Sequence, residues 1–235
     1  MTINWRNLKD LVLPQYLIII FFTLVSSYMI IFQTLPTMEL LLPFLSLSFA
    51  MFALNITNNI VDIDLDKINK PLRPLPSKRV TEREATWLAR LFIFLSLLLA
   101  YPINDISFFA LIVFNFLSVF YSIEPIRLKR YILADNVIGS IIYGAIPFII
   151  VWSLSSYSIP IIFLLFFTGM IFAIASIKDF EDMKGEKEHN INTLPLKIGI
   201  NKTILFTSSI MLILLLIIYV TAMTVSYTHL RAHET

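Results

Sequence analysis

The sequence contains no cysteine, which excludes disulfides, thiolate metal sites and a cysteine nucleophile. Charge is scarce. Asp, Glu, Lys and Arg make up 14% of its 235 residues, against about 25% in an ordinary soluble domain. Apolar and aromatic residues make up 57%, too much to bury in one water-soluble core of this length. Histidine is limited to His189, His229 and His233, with no metal-ligand spacing on a shared helix. A net charge of +2 is too small to point to nucleic acid. A cleavable signal peptide is not expected either. The first apolar segment is too long for a signal core and no small-residue cleavage site follows it, so it reads as a first spanning helix.

What the chain does have is long uncharged runs, at 11–38, 40–61, 106–123, 136–177 and 203–230. A membrane-crossing helix needs about 20 mostly apolar residues. The run 136–177 therefore holds two spans, broken near Ser153–Pro160. Expected helices are 11–33, 39–58, 83–102, 106–122, 134–153, 158–178 and 202–224, the third opening at a Thr81 cap with Glu82 and Glu84 in its first turn. The fold class is an all-α, polytopic membrane helix bundle with about seven transmembrane helices. Trp5, Trp87 and Trp152 suit interface anchors.

The Lys and Arg residues sit on one side of this arrangement. Arg6 and Lys9 precede the first helix; Lys67 to Arg90 lie between the second and third or at the start of the third. Arg127, Lys129 and Arg130 follow the fourth, and Lys178 to Lys202 lie between the sixth and seventh. The connections near 34–38, 101–105 and 153–157 hold none. The positive-inside rule then places the N-terminus and the long loops on the cytoplasmic side of the cell membrane.

The long loops are acidic as well. Asn58, Asp62 and Asp66 are spaced i, i+4, i+8, which puts them on one face if the second helix runs past the membrane, while Asp64 points elsewhere. Asp179 and Asp182 are i, i+3, and Glu186 follows Asp182 at i+4. Oxygen ligands stacked this way suit a hard cation such as Mg²⁺, which takes one or two carboxylates together with phosphate oxygens and water. Two such faces, each flanked by Lys or Arg, can hold a diphosphate bridged by metal and neutralise its charge as it departs. Arg127, Lys129 and Arg130 are natural phosphate contacts, or alternatively a plain positive-inside anchor. His189 reads as a solvated loop residue. The acidic loops could instead serve solubility, or gate cations in a transporter; transporters, however, place coupling residues near the bilayer midplane, and these spans are nearly free of charge.

Together these segments resemble the UbiA superfamily of intramembrane prenyltransferases. Asn58, Asp62, Asp66, Asn69, Lys70, Pro71, Arg73, Pro74 and Pro76 resemble its first aspartate-rich motif. Asp179, Asp182, Gly185 and Glu186 with Thr193, Leu194 and Pro195 resemble the second. Tyr121, Ser122, Pro125, Arg127 and Lys129 resemble the tyrosine–lysine motif after the family's fourth helix. The motifs fall in the family's order over roughly 10–210. The resemblance implies a helical bundle with a central cavity open sideways to lipid, Mg²⁺ as cofactor, and transfer of an isoprenyl group from an allylic diphosphate to an acceptor. It implies that Asn58, Asp62, Asp66, Asp179 and Asp182 bind Mg²⁺-diphosphate, with Glu186 as a further ligand. It implies that Arg73, Lys129 and Lys178, with Arg127, contact the diphosphate, that Tyr121 lies near the reacting carbon, and that an aspartate of the second motif takes the acceptor's proton. Partners are an isoprenyl diphosphate and a lipid-soluble or aromatic acceptor: a quinone precursor, a tetrapyrrole or a glyceryl phosphate lipid. The form of the Tyr121–Lys129 segment is nearer the chlorophyll-synthase and archaeal-lipid branches. A terpene cyclase of the same superfamily, needing no acceptor, shares these features.

Two residues depart from the pattern: Glu186 stands where the family usually has Asp, and Asn59 where the first motif often has an acid. The family has about nine spanning helices against the about seven counted here. Residues 225–235 change composition abruptly. The expected domain is 1–224, incomplete at its C-terminus, followed by a tail foreign to it.

Overall fold

A computed structural model describes residues 4–123, 128, 131–181, 183–188 and 193–232, the side chains of 185, 186 and 222–232 excepted. Helices account for the architecture. They are α1 (Trp5–Val12), α2 (Leu17–Phe32), α3 (Leu41–Val61), α4 (Ile63–Asn69), α5 (Glu82–Ala100), α6 (Asp105–Ser122), α7 (Ala134–Gly139), α8 (Ile146–Trp152), α9 (Ile161–Lys178), α10 (Met183–Glu188), α11 (Leu194–Ile198) and α12 (Ile200–Ala232).

Six stretches among the described residues are long and apolar enough to cross a membrane: Pro14–Phe32, Met38–Val61, Asp105–Ser122, Ala134–Trp152, Ile161–Lys178 and Ile200–Thr221. The third expected span, α5, falls short of that measure because Glu82, Arg83, Glu84 and Arg90 occupy its first half. Its start is a capping box between Thr81 and Glu84, and Arg90 lies over the ring of Trp87 at 5.5 Å. Large apolar side chains such as Phe22, Phe94, Phe109, Phe116, Leu205 and Leu212 are exposed around the bundle. Exposed apolar surface on this scale marks contact with lipid or partners rather than water, and the chain is a multi-pass membrane protein.

The bundle is organised on α3, which packs most extensively with α5. Without a hydrophobic drive between helices in lipid, close approach depends on small residues at the contact. Ala53 of α3 and Ala85 and Ala89 of α5 are buried small residues of one cluster that joins the two helices. Ser46 and Ser48 satisfy their hydroxyls by donating to the carbonyls of Pro43 (3.0 Å) and Phe44 (2.6 Å). One face of α3 joins Leu47, Met51 and Leu54 to Ile20, Leu24, Phe114 and Ile142. Another joins Ala53 and Ile56 to Leu11, Val80, Leu88 and Phe92.

Several expected boundaries need correction. The first helix does not start at 11. Residues 11 and 12 close α1, which is capped by Asn4 accepting from the Asn7 amide at 2.9 Å. Leu13 then turns left-handed at φ 50. Pro14 ends α1 here, since a proline disfavours the right-handed α region for the residue before it. The second helix runs on to Val61 rather than 58, and the sixth begins at Ile161, after Pro160. The seventh runs to Ala232, through the segment expected to be a foreign tail.

The span Ala134–Trp152 contains a π-helical turn at Ser140–Ala145. Pro147 lacks the N–H that would bond the carbonyl of Tyr143 one turn earlier. The Thr23 hydroxyl of α2, which donates to the Ile19 carbonyl at 2.9 Å, also lies 3.3 Å from the Tyr143 carbonyl. Gly144 lets α9 approach this turn: a Cβ there would lie 2.9 Å from the backbone of Phe167 and Thr168. Asn136 fixes α7 to α9, donating to the Phe172 carbonyl (2.6 Å) and to Ser176 (2.9 Å).

Candidate active site

The first acidic face forms as its spacing predicts. α3 ends at Val61 and α4 begins at Ile63, yet the helical hydrogen-bond ladder crosses the junction. The Asp62 amide donates to the Asn58 carbonyl (2.9 Å), the Asp66 amide to Asp62 (2.7 Å) and the Lys70 amide to Asp66 (2.8 Å). Asn58, Asp62 and Asp66 therefore stay stacked on one face. Asp64 points away, exposed and paired with Lys67 at 2.6 Å. Beyond Lys70, turns such as Arg73 N to Lys70 O (3.0 Å) and Ser77 N to Arg73 O (3.1 Å) fold the chain back. That return lets the Arg73 guanidinium donate to Asp66 Oδ2 at 2.7 Å and to Asn59 Oδ1 at 2.9 Å.

The second acidic segment lies opposite. α9 delivers Lys178 and Asp179 at its end, and α10 packs on α4, so the ends of the two long loops meet. Asp179 is buried. The end of α6 closes the third side, where the Ser122 hydroxyl donates to Asn58 Oδ1 and the Tyr121 hydroxyl donates to Asp135. Lys178 reaches the same Asp135 carboxylate at 2.8 Å.

The result is a cavity of about 140 Å³ lined among others by Asn58, Asp62, Asp66, Arg73, Tyr121, Lys178 and Asp179. It adjoins a second cavity of about 180 Å³, largely apolar, lined by Ile19, Leu54, Ile138, Ile142, Ile171 and Ile174 among others. Tyr16, Asn55, Asn58, Tyr121, Asp135 and Lys178 line both and form the neck between them. The space is amphipathic along its length, with an acid-and-cation chamber at the membrane edge and an apolar chamber within the bundle. Asp66 is 1% exposed. Burial pushes its carboxyl above the usual aspartate range, and the Arg73 guanidinium only partly opposes this.

Of the residues singled out in the sequence, Asn58, Asp62, Asp66, Arg73, Tyr121, Lys178 and Asp179 share this cavity. Arg127, Lys129 and Asp182 lie outside the described residues, as does the Glu186 side chain. The sequence reading missed the site roles of Asp135, Asn55, Tyr16 and the α1–α2 junction at Leu13. Asp135 left one signal: it is the one carboxylate between Glu124 and Asp179, at the membrane edge, where ionisable groups are functional by default. Asn55 and Asn59 donate to the carbonyls of Val12 (2.7 Å) and Leu11 (3.0 Å), docking α1 against the site.

Among the described residues no three acidic or histidine side chains converge closely enough to hold a metal unaided. Paired carboxylates with room for water and phosphate oxygens are instead the way Mg²⁺ is commonly held, so the donor chemistry fits that ion when a phosphorylated ligand completes the shell.

The fold and site together define a multi-pass membrane helix bundle in which an acid-lined chamber opens into an apolar one. The model of the UbiA prenyltransferase family matches residues 19–232. The chain belongs to the UbiA prenyltransferase family. It is similar to the digeranylgeranylglyceryl phosphate synthase of Sulfurisphaera tokodaii, 32% identical over 69% of this chain and 58% of that protein. It is also similar to the bacteriochlorophyll synthase 33 kDa chain of Cereibacter sphaeroides, 30% identical over 69% of this chain and 57% of that one. The chain thus spans a little over half the length of these relatives. In fold it matches a UbiA homologue from Archaeoglobus fulgidus bound to GPP and Mg²⁺, with TM-score 0.79, 20% identity and coverage of 92% of this chain and 78% of that one. A solved digeranylgeranylglyceryl phosphate synthase matches with TM-score 0.69 at 25% identity, over 90% of this chain and 75% of that one.

Proposed function

We propose that this protein is a membrane prenyltransferase that moves an isoprenyl group from an allylic diphosphate to a lipid-soluble acceptor. One observation carries the reading: three segments distant in sequence line one cavity at the membrane edge, and its neck leads into an apolar chamber. The polar chamber takes the diphosphate and the apolar one takes the hydrocarbon tail. The carbon–oxygen bond to be broken then lies in the neck, beside Tyr121.

Asn58, Asp62, Asp66 and Asp179 are the groups to hold Mg²⁺ with the diphosphate, and Asp182 and Glu186 belong to the same segment. Mg²⁺ supplies neutralisation of the charge that gathers on the departing diphosphate. Arg73 and Lys178 meet diphosphate oxygens directly, and Arg127 and Lys129 are assigned the same task from their place after α6. The apolar chamber excludes water from the allylic cation left behind, and Tyr121 faces that cation with its ring. The acceptor supplies the electron pair for the new bond and loses a proton to an aspartate of the second segment. Digeranylgeranylglyceryl phosphate synthases recur among the relatives at 30–32% identity, which favours a glyceryl phosphate lipid as acceptor over a tetrapyrrole. The excess of Lys and Arg around the site supports a site that faces the cytoplasm from the cell membrane.

The test is diphosphate release by the purified protein from a labelled allylic diphosphate with Mg²⁺ and acceptor. Asp62→Ala abolishes it, and chelation of Mg²⁺ stops it reversibly. Undiminished turnover in Asp62→Ala would overturn the site assignment.

A further inference from the structure

Asp135 belongs to neither acidic segment, yet it sits at the neck where the polar and apolar chambers meet. It is placed there by the turn before α7, where Leu133 is left-handed at φ 63, so that the first turn of α7 points its carboxylate between α6 and α9. The side chain is 16% exposed. Tyr121 and Lys178 both hydrogen-bond its carboxylate at Oδ1. Oδ1 accepts the Tyr121 hydroxyl and the Lys178 ammonium at 2.9 Å, and Oδ2 faces the same ammonium at 2.8 Å. With Oδ1 bonded to Tyr121 and Lys178 and the same ammonium facing Oδ2, Asp135 has a task other than that of the metal-holding acids.

We propose that Asp135 is a positioning residue that acts through Tyr121, fixing and enriching that ring to stabilise the allylic cation formed in the neck. This rests on the prenyltransferase reading. The hydrogen bond from a phenol to a carboxylate is charge-assisted and strong. It fixes the ring about its long axis and draws negative charge onto the phenol oxygen and its π-system. A ring so enriched attracts a cation on its face more strongly than free phenol does.

Lys178 has a second part in the arrangement. A bare carboxylate beside an allylic cation is itself a nucleophile and would capture the cation as an ester. Hydrogen bonds from Tyr121 and Lys178 to Oδ1, with the Lys178 ammonium 2.8 Å from Oδ2, weaken that attack while leaving the ring enriched. The elements packed on Asp135 bring these groups toward it: Tyr121 from α6 and Lys178 from α9, with Asp179 next along the chain and Asn58 from α3 lining the same neck or chamber.

The experiment is steady-state kinetics with geranylgeranyl diphosphate, Mg²⁺ and a glyceryl phosphate lipid acceptor, for wild type, Asp135→Asn, Tyr121→Phe and the double variant. A cation–π contribution of this kind corresponds to a roughly tenfold fall in kcat for Asp135→Asn, with no rise in KM for the donor. Tyr121→Phe keeps the ring and severs the bond, so it lowers kcat by a similar factor. The double variant is no slower than Tyr121→Phe alone, because the two residues act as one unit. A general packing defect would instead multiply the two losses. Multiplicative losses overturn the proposal, and so does a rise in donor KM at unchanged kcat. If Asp135→Asn fails to fold, Tyr121→Phe decides alone: undiminished kcat overturns the proposal. Absence of turnover in the wild type refutes the prenyltransferase reading, whereas full activity in Asp135→Asn alongside a dead Asp62→Ala refutes only the role of Asp135.

Discussion

Asn59 offers the sharpest test of how the site is braced. It is 3% exposed and uses both ends of its amide. Nδ2 donates to the Leu11 carbonyl at 3.0 Å and Oδ1 accepts from Arg73 at 2.9 Å, while Arg73 holds Asp66 at 2.7 Å. Asn59→Ala removes one neutral bond, worth about 0.5–1.5 kcal/mol, and one to a charged group, worth about 1.5–3 kcal/mol. Arg73 keeps Asp66, so the lower part of the second range applies, and the loss is about 2–4 kcal/mol. At roughly 2–4 °C per kcal/mol for a chain of this size, the unfolding midpoint in detergent falls by roughly 4–16 °C. Asn55→Ala is the control, since Asn55 makes a single neutral bond to Val12 at 2.7 Å and costs about 1 kcal/mol. Amide exchange across α1 reports the same event locally, because both carbonyls close that helix. The reasoning fails if Asn59→Ala costs no more than Asn55→Ala, or if α1 exchanges no faster in either variant.

Gly144→Ala drives a Cβ to 2.9 Å from backbone atoms of Phe167 and Thr168, which cannot swing aside. Overpacking of this kind costs about 1–3 kcal/mol, read as a lowered midpoint. Gly139→Ala, whose nearest neighbours lie 4.0 Å away, leaves it unchanged. The raised pKa of Asp66 makes a signed prediction for the ligand-free protein. The folded state binds its proton more tightly than the unfolded state, where an aspartate titrates near about 3.9. Its contribution to stability is present below that value and is lost as pH rises through the raised folded value. The midpoint of Asp66→Asn, measured over that window, lacks this slope.

The acidic faces were legible because helical periodicity is local. Asn58, Asp62 and Asp66 are one turn apart, and a single intact ladder keeps them stacked even across the junction at Asp62. The helix breaks were written in prolines that the length of the apolar runs concealed. Pro14 separates α1 from α2 inside one uncharged run, and Pro147, which has no N–H to donate, follows the π turn at Ser140–Ala145. Asp135 was not legible. Its partners lie 14 and 43 positions away in sequence, and no repeat or spacing links them. Arg73 was legible as a cation but not as the partner of Asp66, because only the turns after Lys70 bring it back.

The pairing of Arg73 with Asp66 also couples the two halves of the proposed ligand. A diphosphate drawn into the polar chamber competes for the Arg73 guanidinium. If Arg73 leaves, Asp66 remains as a buried carboxylate with its main counter-charge gone, and an unpaired buried charge costs several kcal/mol. A divalent cation alone meets the opposite obstacle, since Asp66 is already neutralised by Arg73 and the displaced guanidinium would be left facing another cation. With both present, Asp66 would hold the metal and Arg73 the phosphate, so neither charge would be stranded. Asn59 keeps Arg73 within reach of both arrangements, because its bond to the guanidinium does not depend on Asp66. On the proposed function, the coupling of metal to diphosphate would lie in an arginine that changes partners, held by an amide whose other end closes α1.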